Sequence, residues 1–364
     1  MEISKGDTKI LKGVAILFML LLHLFGRKEV DGLYEVFPIF NGVPLVYYIG
    51  LFGDACVPIY CFASGYGLYI THNEKNLNIL KNLMRIFKLL VNFWIVLFIF
   101  LAVGFLAGKL EAFPGGYGEF LLNFFLLSNS YNGAWWFLQT YIILVLLSSF
   151  LVKIVRKYNS TYLLLISSVI YLVSYVQRIK QVIDFGDSTV LNILVNAVVL
   201  VGTSLLPFIV GCFFAKEKLY SKLYSKFRNT SFTNILCLIG IFVLVIIHSL
   251  YESMIIAPFT AIAFICFFNF MDKSMLIQKL FAFLGDHSTN IWLTHMFFYM
   301  SIFPEITFAP RYPIIIFAWL LILCLISSYI INSLYKPVIR MIDKKISNGP
   351  KSKEYPNVID QKTI

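Results

Sequence analysis

The sequence predicts an all-α polytopic membrane protein of about ten transmembrane helices, both termini cytoplasmic, and three observations carry that reading. Hydrophobic residues make up 59% of the 364 and charged residues only 13%, whereas a soluble domain carries about 25% charge. Apolar stretches recur from residue 10 to residue 334 without a polar block large enough to divide them. Residues 1–345 therefore read as one transmembrane domain, and 346–364, with its Lys, Pro, Asn and Ser, as a disordered cytoplasmic tail. The basic residues cluster between the apolar stretches. With the N-terminus inside, 24 Lys and Arg fall on the cytoplasmic side and six outside, namely Arg27, Lys28, Lys109, Arg178, Lys180 and Arg311. That asymmetry orients multi-pass proteins. It accounts for the net charge of +11 without any nucleic-acid partner.

A bilayer core of about 30 Å takes roughly 17 to 25 mostly apolar residues per helix. The ten segments run over 10–26, 48–71, 84–107, 135–155, 161–176, 190–214, 232–250, 254–270, 288–303 and 312–334, the fifth and ninth being short. The first carries Lys12 and His23 with ten residues between them. Eleven helical steps return both side chains to one face about 16 Å apart, a cation at one end and an imidazole at the other. An ionisable group deep in hydrocarbon is a functional hypothesis by default. Basic residues precede this core as in a signal peptide, but no small-x-small site follows, so the segment reads as a retained helix.

The second segment holds Asp54, which either orients His23 as a carboxylate orients a catalytic histidine or belongs to the outer loop; Pro58 opens the backbone nearby. Its patch Ser64-Gly65-Tyr66-Gly67 admits a close helix or a ligand. In the third, Arg85 and Lys88 are three apart on one face. They suit a multiply phosphorylated ligand, or else mark the inner surface. Residues Phe120–Leu127 read as a half-embedded amphipathic piece. The fourth segment opens with Trp135 and Trp136, followed by Tyr141, an interfacial aromatic belt or a stacking face for sugar rings. Pro207 is the one breaker of the sixth. The ninth carries Ser288, Asn290, Thr294 and His295, a polar stripe that lines a cavity or glues helices. His72, His248 and His287 fall at helix ends or in loops and read as solvated surface. The six cysteines lie in apolar segments without Cys-x-x-Cys spacing, so neither a disulfide scaffold nor a zinc site is expected. No repeat of the kind found in many transporters is evident.

Assembled in this order, the chain resembles the acyltransferase family 3 integral membrane proteins, which move acyl groups, mostly acetyl, from cytosolic acyl-CoA to extracytoplasmic acceptors. The resemblance spans nearly the whole chain. It rests on the basic-x10-His signature at Lys12 and His23, the basic-x-x-basic pair at Arg85 and Lys88, and the patch Ser64-Gly65-Tyr66. The run Trp136-Phe137-Leu138 and the His-ending helix from Ser288 to His295 add to it. The resemblance implies that His23 is the catalytic histidine, that Arg85 and Lys88 contact the CoA phosphates, and that Lys12 lies near the donor path. Two features depart from it. Many sugar-acylating members have a Glu where this chain has Tyr141, and many carry a C-terminal esterase-like domain where about 30 residues follow the last helix here. The second departure implies direct transfer or a separate extracytoplasmic transferase partner.

The expectation is thus a multi-pass enzyme of the cell membrane that O-acetylates a glycan or lipid-linked sugar. Its donor is acetyl-CoA, and no metal is expected. His23 and Asp54 are the catalytic candidates, Lys12, Arg85 and Lys88 hold the donor, and Trp135, Trp136, Tyr141, Ser64 and His295 face the acceptor. A multi-pass transporter or exporter of a lipid-linked glycan, with the same polar residues lining a path, is the alternative.

Overall fold

The computed structural model describes residues 2–74, 79–186, 188–227 and 233–347. Lys75 and Arg228 of the inner charge clusters, and the tail from residue 348 onward, lie outside the described residues. Among the described residues, eight helices are long and apolar enough to cross a membrane. The chain is an all-α polytopic membrane protein.

Helix α1 (Lys5–Phe25) starts at Ser4, whose hydroxyl accepts from the Asp7 amide while the Asp7 carboxylate accepts from the Ser4 amide, a capping box. Glu2 ties this start down by accepting hydrogen bonds from Tyr66 and Ser221. The expected second segment is broken in three: α2 (Leu45–Leu51), a 3₁₀ turn over Phe52–Ala55 and α3 (Cys56–Glu74). The break falls just before Pro58 and puts Asp54 in the turn. Before α2, Ile39–Phe40 and Val43–Pro44 form a small antiparallel hairpin. Its turn residues Asn41 and Gly42 both have positive φ, at 50° and 76°, the conformation that an Asn-Gly hairpin turn requires.

Helices α4 (Ile79–Leu106), α5 (Tyr117–Phe124), α6 (Trp136–Lys157), α7 (Ser160–Lys180), α8 (Thr189–Lys216) and α9 (Leu219–Phe227) follow. Then come α10 (Thr233–Leu250), α11 (Ala257–Phe270), α12 (Met275–Met296), α13 (Pro304–Phe308) and α14 (Pro313–Ser347).

Two expected boundaries are corrected. The ninth segment begins at Met275, not at residue 288, because Gln278, Lys279 and Asp286 lower the hydropathy of a helix that nonetheless packs along α1 and pairs Asp286 with Lys9 at 2.5 Å. The last helix runs through Pro337 to Ser347, past residue 334 and into the region expected to be tail. The histidines expected at the surface are buried instead: His72, His248 and His287 are 7%, 0% and 8% exposed. Each has found a hydroxyl partner for one ring nitrogen, respectively Ser148, Thr260 and Ser328, which offsets part of the cost of burying an imidazole.

Glycines decide how closely the helices meet. A Cβ on Gly13 would lie 1.9 Å from the Phe281 carbonyl oxygen, and one on Gly285 would lie 2.2 Å from that of Lys9. The α1 and α12 backbones therefore touch. In the same way Gly65 and Gly211 bring α3 onto α8, their added Cβ atoms falling 2.0 and 2.2 Å from the Phe208 and Phe62 carbonyl oxygens. Close backbone approach through small residues is the main route to helix association in a bilayer, where lipid and side chains are equally apolar.

Candidate active site

The contact of α1 with α12 carries on to the far end of α1, where it joins two residues 272 apart in sequence. The Nδ1 of His23 lies 2.6 Å from Nε2 of His295, and the rings are nearly parallel with centroids 4.8 Å apart. The Nδ1 of His295 lies 2.7 Å from the Trp292 carbonyl oxygen. A carbonyl only accepts, so His295 carries its proton on Nδ1 and presents the Nε2 lone pair. His23 then donates its Nδ1 hydrogen to that lone pair. This leaves Nε2 of His23 as a bare base. It has no protein partner among the described residues and is open to a cavity. Tyr299 stacks on both rings, at 6.2 and 5.9 Å.

The same stretch of α12 is unusual in its backbone. Helical winding changes to a π turn at Phe297–Ser301, a change often found at functional sites. Carbonyls just before it take side-chain hydrogens: Leu293 from Asn132 at 2.9 Å and Trp135 at 3.1 Å, and Trp292 from His295. Trp292 in turn donates to the Ala134 carbonyl at 3.2 Å. The loop before α6 is thus stitched to the turn of α12 that aims His295.

His23 borders a cavity of about 290 Å³ whose wall includes Asp54, Pro58, Trp136, Tyr171, Arg178 and Trp292. Asp54 shares the cavity with His23, but the group on Nδ1 of His23 is His295 and not this carboxylate. Asp54 instead faces Nε2 of the fully buried His248 at 3.5 Å, and His248 is backed by Thr260 at 3.3 Å. The two tryptophans have parted company. Trp135 is 1% exposed and edge-on to Phe93 at 4.8 Å, locking α6 to its neighbours. Trp136 faces the cavity, with the Arg178 guanidinium over its ring at 4.8 Å. Tyr141 packs on Phe137 and borders neither this cavity nor the next. Ser64 donates to the Tyr60 carbonyl at 2.7 Å, and its patch serves the packing of α3 on α8. The polar stripe of α12 divides its labour. Asn290 bonds Asn92, Ser328 and Asn332 and holds α4 and α14 to α12, while His295 supports the cavity.

At the other end of α1 the cations also separate. Lys88 is paired with Asp343 of α14, at 2.8 and 3.0 Å to the two carboxylate oxygens. Neither Lys12 nor Arg85 has a carboxylate within ion-pair distance among the described residues. Cations without a carboxylate partner are available to an anionic ligand.

Sequence reasoning passed over Arg178, His248 and Trp292. A lone Arg at the end of the α7 apolar run, with Gln177 and Gln181 beside it, was the available signal for the first. Trp292 and His248 are placed by helix pairings that no local spacing records.

The family model described as an acyltransferase domain, Acyl_transf_3, matches residues 8–333. No curated protein and no solved structure matches the chain. The matched region contains the His23–His295 pair, its cavity and the Lys12–Arg85 cations, and the chain belongs to this family of membrane acyltransferases.

Proposed function

We propose that the protein moves an acyl group, acetyl above all, from cytosolic acyl-CoA to a hydroxyl of a glycan on the outer side of the cell membrane, with Nε2 of His23 as general base. The supporting observation is the hydrogen-bonded chain from the Trp292 carbonyl through His295 to His23, which leaves one imidazole nitrogen unprotonated at the edge of a cavity. The excess of basic residues supports placing the Lys12 end of α1 at the cytoplasm and the His23 end outside. The donor phosphates then rest on Lys12 and Arg85. Lys88 stays with Asp343 and adds little to them. The pantetheine arm follows α1 over the roughly 16 Å to His23.

In the reaction, Nε2 takes the proton of the acceptor hydroxyl as its oxygen bonds to the thioester carbonyl carbon. The tetrahedral species collapses with cleavage of the carbon–sulfur bond. The thiolate receives the proton back from the imidazolium and leaves as CoA thiol, and His23 is neutral again. Asp54 and Arg178 supply the charges in the cavity wall.

The test is thiol release from acetyl-CoA by the purified protein in nanodiscs, with glycan acceptors supplied. His23→Ala is expected to lose about 10²- to 10⁴-fold in rate, the range of a general base. A folded His23→Ala protein with the wild-type rate overturns the proposal. Vesicle uptake of the glycan without thiol release would point to transport instead.

A further inference from the structure

A second cavity, of about 300 Å³, lies beside the first and shares Trp136 and Arg178 with it as a common wall. It is built where the first turns of α6, the end of α7 and the start of α8 converge, at the His23 end of the bundle. Its polar lining is dominated by amides, among them Gln139, Gln177, Gln181 and Asn196, and it contains no carboxylate. Gln177 is committed to structure, its amide bonding both the nitrogen and the oxygen of the Ile183 backbone. The side-chain amides of Gln139, Gln181 and Asn196 have no protein partner among the described residues. An amide both donates and accepts, as a hydroxyl does. Three free amides around one cavity beside an indole are the chemistry of a polyhydroxylated ligand.

Arg178 adds a requirement. Its guanidinium is half-buried, has no hydrogen-bond acceptor or carboxylate within ion-pair distance among the described residues, and is not titrated away at any physiological pH. The carboxylate whose field reaches it is Asp54, beyond that distance and already facing His248. A neutral sugar would leave the five N–H donors unmatched by any anion, whereas a planar oxyanion takes the fork in two parallel hydrogen bonds.

We propose that this second cavity seats the acceptor, and that the acceptor is a polyhydroxylated chain bearing an oxyanion, either a uronate carboxylate or a phosphodiester, held by Arg178 beside the hydroxyl that reacts. The inference deepens the transferase reading and rests on it for the identity of the ligand as acceptor. Arg178 thereby sets which acceptor is chosen, and the shared wall brings that acceptor to His23.

The experiment measures binding and thiol release separately, in phosphatidylcholine nanodiscs. The probes are a glucuronate-containing tetrasaccharide, a glycerol-phosphate oligomer and neutral cellotetraose. At least one acidic probe should bind roughly tenfold or more tighter than the neutral one, as a charge-assisted bidentate contact predicts. The tighter of the two identifies the oxyanion as carboxylate or phosphodiester. Arg178→Gln should erase the preference and Arg178→Lys keep part of it, with CoA affinity, which reports the fold, retained in both. Equal binding of acidic and neutral probes overturns the proposal, as does a preference that survives Arg178→Gln. So does displacement of the acidic probes by added phosphatidylglycerol, which would make the ligand a lipid headgroup. If acidic probes bind through Arg178 yet no acceptor ever releases thiol, the transferase reading falls and the anion site stands. If thiol release depends on acceptor but ignores its charge, the acceptor class falls and the transferase stands.

Discussion

Replacing His295 with Ala should slow acyl transfer while leaving the donor site intact. His295 accepts the Nδ1 hydrogen of His23 at 2.6 Å and is itself held by the Trp292 carbonyl at 2.7 Å. Without it, Nδ1–H of His23 points at a vacated buried space, and the ring is free to turn or to move its proton to Nε2, where the base is needed. In the transition state the imidazole carries a proton on each nitrogen, so the lost bond is one made by a charged group, worth about 1.5 to 3 kcal/mol. At 1.36 kcal/mol per decade this is about 10- to 150-fold in kcat. The acetyl-CoA KM should be unchanged, because Lys12 and Arg85 lie about ten residues away along α1 or on α4. His295→Gln, whose amide oxygen can accept from His23, should recover most of the rate. The assay is thiol release at saturating donor, with thermal unfolding in detergent read by size-exclusion as the check on folding. A His295→Ala protein that unfolds at the wild-type temperature with kcat within about twofold of wild type would refute the relay, since a 2.6 Å bond to a catalytic ring cannot be worth so little.

Arg85→Gln should raise the KM for acetyl-CoA about 10- to 100-fold by removing a charged contact to phosphate, whereas Lys88→Gln, already neutralised by Asp343, should change it less than about threefold; titration of CoA by calorimetry decides. Gly13→Ala puts a methyl group 1.9 Å from a backbone oxygen and should cost about 1 to 3 kcal/mol through forced separation of α1 and α12. Gly67→Ala, inside α3 where nothing lies within 4 Å, should hold or slightly raise the detergent melting temperature, since Ala is the better helix former by about 0.5 to 1 kcal/mol. At the loops, Lys28 is paired with Glu252 at 2.6 Å and Tyr47 donates to the same carboxylate at 2.9 Å. The hydrogen bond from Lys28 and then that from Tyr47 hold the Glu252 carboxyl below its ordinary value of 4.5. The resulting stability is present above that value and lost as pH falls through the lower folded value. Melting temperatures taken from pH 7 down to 3.5 should therefore fall more steeply for wild type than for Glu252→Gln.

Fold class and the two ends of α1 were legible in the sequence because both depend on local quantities. Hydropathy over a window marks a bilayer-spanning run, and the helical period alone puts Lys12 and His23 on one stripe. The position of Arg85 beside Lys12 also follows from helix ends meeting at one membrane face. The partner of His23 was not legible. Asp54 was the acid offered as an orienter, with the outer loop as its other reading, but whether a helix presents its side chain to α1 depends on which helices touch. The glycines that make α1 and α12 touch, Gly13 and Gly285, acquire that meaning only when both helices are seen together. The start of α12 was missed for a related reason. Its first half is too polar to register as a membrane segment, and it is fixed to α1 at the Gly13–Gly285 crossing and by the Lys9–Asp286 pair. The amide-lined cavity draws on the ends of three helices, and no single window contains it.

That the orienting group is a second imidazole rather than a carboxylate bears on the chemistry. A carboxylate on Nδ1 would stabilise the imidazolium with a full charge and, in a low-dielectric site, would hold the proton strongly. Transfer from a thioester needs the proton twice over, once taken from the acceptor hydroxyl and once returned to the departing thiolate. A neutral His295 orients the ring and shares the charge through one hydrogen bond, and so keeps the imidazolium a competent acid. The carboxylate in the cavity wall, Asp54, is engaged by His248 and stands off from His23. Its charge is available to the cavity without being bonded to the base, and Arg178 lines the same cavity with the opposite charge. The arrangement thus separates the roles that a catalytic triad combines. In the proposed mechanism His295 sets the tautomer of His23, Asp54 and Arg178 set the field, and α1, held by its glycine contacts to α12, sets the distance between the donor phosphates and the reacting nitrogen.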